Sequence, residues 1–298
     1  MLKTLSNLLI YISIFFVGLY LWKNGIYKLP NVVNPYFLLL SFVLLLLGQF
    51  LYLYMWYLML KREYSLNPQI IFESESVTIF NKYIPGKIWV IIGPVSYLKK
   101  YYDVSTKAIT HYSLYLQIII IWSGLLSGLF FLKLLDFKLQ VLYILLFVVL
   151  TLLIYTKWLH KVVEKFILLV FKKKIVIPTI NINHNIKPIL VSMLMWFIWS
   201  IAFYLMILST TDQSIPFSVA FIFPIASVIG IVSLFSPGGL GIREGIMAFL
   251  LIAMGLPFEL STQISIDSRL WFIIFEILVF LLSLLSIVLR KKNMENLL

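Results

Sequence analysis

Several runs of this chain are apolar for about twenty residues at a stretch, the length an α-helix needs to cross the hydrocarbon of a bilayer. On that ruler, spans are predicted over Leu5–Trp22, Tyr36–Leu60, Ala108–Leu132, Leu139–Thr156, Pro188–Leu208 and Ser268–Leu289. Composition agrees, with 62% of the 298 residues apolar and only 12% charged, where an ordinary soluble domain has about a quarter charged. The expected fold class is an all-α polytopic integral membrane protein of about eight transmembrane helices or re-entrant equivalents. The first run follows Lys3 as a signal peptide would. It ends in Tyr20, Leu21 and Trp22 without a small-residue cleavage site, so an uncleaved anchor is expected.

The formal net charge of +12 would suit nucleic acid, but the Lys and Arg residues lie mainly between apolar runs. There they orient the chain and meet anionic head groups, so the expected partner is the membrane and no nucleic acid. The densest basic clusters are KWLHKVVEKFILLVFKKK and the late RKK, with Lys61-Arg62, Lys99-Lys100 and Lys107 forming another, whereas Thr210–Ser214 carries Asp212 and no cation. The positive-inside rule then places both termini and the 157–187 connection in the cytoplasm and 210–214 outside, with Lys23, Lys28, Lys133 and Lys138 as dissenters. Lys157, Lys161 and Lys165 fall at spacing four opposite Trp158, Val162 and Phe166, the pattern of a basic amphipathic helix lying in the headgroup plane.

Two regions are less regular. Ile70–Leu98 contains FNKYIPGKIWVIIGPVSYL, cut at Pro85-Gly86 and at Gly93-Pro94, and Pro216–Gly255 contains SPGGLGIREG. Each is a pair of short spans or a re-entrant hairpin. By the topology above they enter from opposite faces, and paired Gly/Pro-interrupted segments of opposite orientation point to inverted-repeat transporters with a midplane site. The chain is thus read as a single transmembrane domain, 1–298, with half-repeats 1–156 and 188–298 joined by 157–187.

Breaking a helix at membrane depth leaves backbone groups that lipid cannot satisfy, so SPGGLGIREG has to be buried in protein or line a polar cavity. Pro237 stops the incoming helix, Gly238, Gly239 and Gly241 permit positive φ and close approach, and Arg243 follows near the start of the next helix, whose free N–H groups favour anions. Glu244 has three options: to balance Arg243, to cap the helix start, or to pair with another cation. The alternative is a tight helix crossing on small residues, which explains the glycines but not the Arg-Glu pair. A Walker A loop would need Gly-Lys-Ser/Thr after its glycines, and a dinucleotide fingerprint a G-x-G-x-x-G spacing after a strand; neither is present.

Lys87, two residues after Pro85-Gly86, either adds a second cation to the same cavity or snorkels to the surface. Glu276 lies well inside the last span, seven residues after Arg269 on the same helical face, and an intramembrane carboxylate is a functional candidate by default. It pairs with Arg243, Lys87 or Arg269, or binds a proton. Asp267 and Glu259 are expected at the outer surface. No cysteine is present, which removes disulfides, thiolate metal sites and cysteine nucleophiles. His111, His160 and His184 share no ligand spacing, so no metal or cofactor is expected, and no catalytic triad can be assigned. Gln49, Gln117 and Ser113 read as interhelical hydrogen-bonding residues.

PGK followed by an aromatic and a basic YLKK end, a late PGGLGxREG and an SRLWxxxxE span together resemble the lysylphosphatidylglycerol synthase transmembrane (flippase-like) family along nearly the whole chain. The resemblance implies a polytopic protein that handles a lipid with an anionic or modified head group, moving it between leaflets. Matched residue by residue, it points to Pro85, Gly86, Lys87, Pro237, Gly238, Gly239, Gly241, Arg243, Glu244, Arg269 and Glu276. Two departures stand out. Pro94 occupies a position near which the family often has a basic residue. The aminoacyl-transferring domain is not in this sequence, so synthesis of lysyl-lipid by this chain is not expected.

The expected function is a lipid flippase or transporter of the bacterial inner membrane that takes an anionic phospholipid or a lipid-linked sugar, the latter because stand-alone relatives accompany glycan or lipid biosynthesis. A carrier is favoured over an enzyme. Two other classes remain open: a membrane transferase acting on a lipid phosphate with Glu244 or Glu276 as general base, and a non-transporting scaffold of envelope-biosynthesis enzymes. Further copies of the chain and such enzymes are the protein partners either reading would need.

Overall fold

The structure, a computed structural model, describes residues 31–61, 63–84, 89–130, 136–156, 182–233 and 236–295, together with Lys165. The expected span Leu5–Trp22, the amphipathic stretch 157–174 apart from Lys165, and the break residues Pro85, Gly86 and Lys87 lie outside these residues.

Helix α1, Pro35–Leu60, starts where Pro35 fixes the first helical φ and the Asn34 side chain accepts from the N–H groups of Tyr36 (3.1 Å) and Phe37 (3.3 Å). At 26 residues it is long enough to span. The next charged turn leads to α2, Pro68–Val77, capped by Asn67, and a 3-10 turn, Ile79–Tyr83. Helix α3, Trp89–Tyr101, returns. The Asn67 N–H donates to the Tyr102 hydroxyl at 2.7 Å, so the start of α2 sits beside the end of α3. With 10 and 13 residues, the two arms extend about 15 and 20 Å, short of the roughly 30 Å hydrocarbon. The segment is a re-entrant hairpin, entering and leaving at the end of the bundle where α1 finishes.

The break expected at Gly93-Pro94 does not occur. Helix α3 runs through Pro94, because the proline costs it one hydrogen bond, to the Val90 carbonyl, without ending it. Gly93 serves packing instead, since a Cβ there would collide with the Asn81 side chain and come within 3.0 Å of Thr78 Cβ.

Helix α4, Thr106–Gly128, α5, Phe137–Tyr155, and α6, Ile182–Thr210, follow. Helix α6 lies antiparallel along α1. The N–H groups of Val33 and Asn34 donate to the Ser209 carbonyl (2.8 and 3.1 Å), and the Trp199 indole N–H donates to the Leu45 carbonyl at 3.1 Å. That indole occupies the space a side chain at Gly48 would need. On its other side α6 meets α4 through Trp196 Nε1, which donates to the Ile120 carbonyl at 2.9 Å, and through the hydroxyls of Ser123 and Ser192, 2.5 Å apart.

Beyond α6 come a 3-10 turn, Phe217–Phe221, α7, Ile222–Val232, a 3-10 turn, Pro237–Gly239, and α8, Ile242–Ala253. These form a second broken hairpin, hung from the end where α6 finishes and α1 begins, opposite to the first. Helix α9, Phe258–Glu295, then runs 38 residues past both hairpins. The tips of the hairpins meet: a Cβ on Gly238 would lie 2.6 Å from the Tyr83 ring.

Four helices, Pro35–Leu60, Thr106–Gly128, Ile186–Thr210 and Phe258–Lys292, are long and apolar enough to cross a membrane. Outward faces are apolar, with Leu39, Phe50, Leu142 and Val288 each more than 60% exposed, a girdle that water would penalise and lipid accepts. No strand occurs among the described residues. The protein is an all-α, multi-pass membrane protein.

One ion pair was not anticipated. Glu73 on α2, fully buried, accepts from Arg290 near the end of α9, at 3.1 Å from Nε and 2.8 Å from Nη2 to Oε2, and from Tyr97 and Ser286 hydroxyls. Removing one partner of a buried pair leaves an uncompensated charge, costing about 3–5 kcal/mol. Arg290→Ala should therefore lower the thermal midpoint in detergent markedly, and the double change Glu73→Gln with Arg290→Met should recover most of the loss.

Candidate functional site

The site is built on the second break. Ser236 is extended, Pro237 opens the 3-10 turn, and Gly238, Gly239 and Gly241 take φ of 60°, 72° and 82°. Two of these glycines are fixed by space as well as by angle. Gly238 lies against the Tyr83 ring, and a Cβ on Gly239 would come within 2.9 Å of Gly230 Cα, which is backbone and cannot yield. The loop thus folds back onto α7. Helix α8 begins at Ile242, and Glu244 reaches back so that its Oε2 accepts from the Gly241 N–H at 2.6 Å, closing the helix start as a capping carboxylate does.

Arg243 is 5% exposed. Its guanidinium lies against the Phe223 ring of α7 and the Phe272 ring of α9, 4.8 Å from each centroid, the two rings being neighbours with centroids 5.9 Å apart. Each such contact is worth about 0.5–2 kcal/mol. Among the described residues, Nε and Nη2 have no hydrogen-bond partner and no carboxylate lies within ion-pair distance. Glu244 does not balance it: Glu244 Oε1 lies 2.5 Å from Arg269 Nε, and Arg269 Nη2 also donates to the Gly238 carbonyl at 3.1 Å. Arg269 thereby ties α9 to a carbonyl that the break would leave unpaired.

Glu276, fully buried one face-repeat after Arg269, pairs with neither Arg269 nor Arg243. Its Oε1 takes Lys82 and its Oε2 accepts from the Tyr83 hydroxyl at 2.8 Å. The carboxylate of α9 thus closes on the tip of the first hairpin. Lys82 also stands 5.3 Å from the Phe272 centroid, so two cations meet that ring.

A cavity of 380 Å³ between the two hairpins is lined by Gly238, Arg243, Arg269 and Glu276 of the second hairpin and α9, and by Tyr52, Glu75 and Lys82 of α1 and the first hairpin. Gln49 and Gln117, expected to bond between helices, face this cavity. Pro237, Gly238, Gly239, Gly241, Arg243, Glu244, Arg269 and Glu276 are brought together; Pro85, Gly86 and Lys87 fall outside the described residues. The expectation of an anion held by helix-start amides changes in one respect, since Glu244 already occupies the Gly241 N–H. The unspent donors belong to the Arg243 side chain.

Lys82, Tyr83 and Glu75 were missed. All three lie in the apolar run IIFESESVTIFNKYI, and the rule that singled out Glu276, an ionisable group within an apolar stretch, would have singled out Lys82 and Glu75. Asp267 is a correction. It is 4% exposed and accepts from Gln263 Nε2 at 2.8 Å, because α9 begins ten residues before the predicted span and carries Asp267 into the packed part of the bundle. Glu259, in the first turn of that helix, is exposed as expected.

Gly239→Ala should cost about 2 kcal/mol or more through positive φ and the backbone clash, read as a fall in the thermal midpoint. Gly245→Ala, helical and facing open space, should be neutral or stabilise by up to about 1 kcal/mol. Equal effects from the two would remove the packing role assigned to the loop.

No curated protein and no solved structure matches this sequence. The family model for the lysylphosphatidylglycerol synthase TM region matches residues 7–279, nearly the whole chain, and the chain belongs to that family.

Proposed function

We propose that the protein binds the anionic head group of a lipid in the cavity between its two broken hairpins and carries it between the leaflets of the bacterial inner membrane, with both termini cytoplasmic. The observation that carries this reading is Arg243, a buried cation held by two aromatic faces with donors left over. Burying a charge without a counter-charge is expensive, and a phosphate would supply the missing partner with the bidentate geometry a guanidinium favours. Among the described residues, the other cations of the cavity have carboxylate partners, Lys82 with Glu276 and Arg269 with Glu244, which favours Arg243 as the anion subsite. The cavity's 380 Å³ suits a head group rather than acyl chains, which the apolar outer face would keep in lipid.

The arrangement of the hairpins supports carriage as well as binding. They enter from opposite ends and meet at the cavity, so relative movement of one against the other would expose the same site to either side. The two halves, 1–156 and 188–298, are on this reading inverted counterparts. The cargo is an anionic phospholipid or a lipid-linked sugar.

Lipids that remain with the purified protein provide the test. Wild type should retain an anionic lipid identifiable by mass spectrometry, and Arg243→Gln should reduce its occupancy by about 10- to 100-fold, the worth of charge-assisted hydrogen bonds. Reconstituted vesicles should show leaflet exchange of that lipid by wild type and not by the variant. An unchanged lipid profile and unchanged exchange in a folded Arg243→Gln protein would overturn the proposal.

A further inference from the structure

We infer that Glu75 is a proton-binding site linked to the anion subsite, so that one proton enters the cavity with each anion that docks on Arg243. The inference rests on the reading of Arg243 given under Proposed function.

Among the described residues, three cations, Lys82, Arg243 and Arg269, stand in or around the cavity with three carboxylates, Glu75, Glu244 and Glu276. Two pairs form, Lys82 with Glu276 and Arg269 with Glu244. Among the described residues Arg243 and Glu75 remain, both lining the same cavity. Glu75 has no cation within ion-pair distance among the described residues; its Oε2 accepts from the Tyr52 hydroxyl at 2.9 Å. Glu73, two residues earlier on α2, is turned away to Arg290.

The groups that line the cavity with Glu75 come from each neighbouring element. Helix α1 supplies Tyr52, the 79–83 turn Lys82, α8 Arg243, and α9 Arg269 and Glu276, while α3 and α4 line the cavity with Val90, Pro94 and Gln117 and no titratable side chain among the described residues.

In the empty cavity, ionised Glu75 is the one negative charge without a cation partner among the described residues. An anion on Arg243 adds a second negative charge to the same cavity, in a space of low dielectric where like charges repel strongly. A proton added to a carboxylate oxygen of Glu75 restores the balance. By reciprocity, whatever raises the proton affinity of Glu75 is itself bound more tightly when Glu75 is protonated. The sign follows. Anion affinity is complete where Glu75 is already protonated in the empty protein. It falls about tenfold per pH unit through the range in which docking brings in one proton, and levels off where Glu75 stays ionised with the anion bound.

The test titrates the full-length protein in detergent with dihexanoyl-phosphatidylglycerol, whose phosphodiester does not titrate between about pH 5 and 8. Calorimetry in buffers of different ionisation enthalpy counts protons taken up. Wild type is expected to bind more weakly as pH rises, with uptake approaching one proton within the window. Glu75→Gln should bind with the low-pH affinity throughout and take up none. Tyr52→Phe keeps the carboxylate but loses the hydroxyl that favours its ionised form, so the window should move to higher pH; it also serves if Glu75→Gln fails to fold. Arg243-dependent binding with a flat pH profile, or an unaltered slope and proton count in the Glu75 and Tyr52 variants, would overturn the linkage and leave the anion subsite standing. Equal binding by wild type and Arg243→Gln would overturn both.

Discussion

Backbone that leaves the helix inside hydrocarbon has to be enclosed by other protein, and that requirement organises this molecule. The 236–241 stretch is wrapped by α7, which it touches at Gly230, by the Tyr83 ring at Gly238, and by Arg269 of α9, which donates to the Gly238 carbonyl. The contacts with Tyr83 and Arg269 come from distant parts of the chain. The loop is stable only because an opposing hairpin and the last long helix converge on it, and the cavity is the space left where the enclosure is incomplete.

Helix α9 does much of this enclosing with residues spaced at seven and fourteen. Arg269, Glu276 and Arg290 share one face of it and address, in turn, the second hairpin, the tip of the first and the base of the first. A seven-residue repeat drifts only slightly around a straight helix, so one stripe can serve three levels of the bundle. The helix presents charge along this stripe and apolar surface elsewhere, including Leu281, Leu285 and Val288 facing outward.

The helices, the broken second region and the shared face of Arg269 and Glu276 were legible in the sequence because each is written in neighbouring residues. Apolar run length gives a span, Pro-Gly-Gly gives a break, and spacing seven gives a common face. Pairing was not legible: Glu276 found Lys82 and Glu73 found Arg290, partners separated by roughly two hundred residues, and several cations competed for each carboxylate. Pro94 misled because a proline's effect depends on which carbonyl it faces. Asp267 misled because the start of an amphipathic terminal helix is apolar on one side only and so falls below a span-length criterion.

Of all the contacts described, the cradle that Phe223 and Phe272 make for Arg243 has the least usual economy. Hydrogen bonds would fix a guanidinium and use up its donors; two ring faces fix it and use none, since the attraction acts through the plane's broad surface and not along its N–H directions. The side chain therefore loses its rotamer freedom when the protein folds, and a group arriving later meets a fork already aimed. The entropy of ordering is borne by the fold, which is the condition for tight recognition by a single residue.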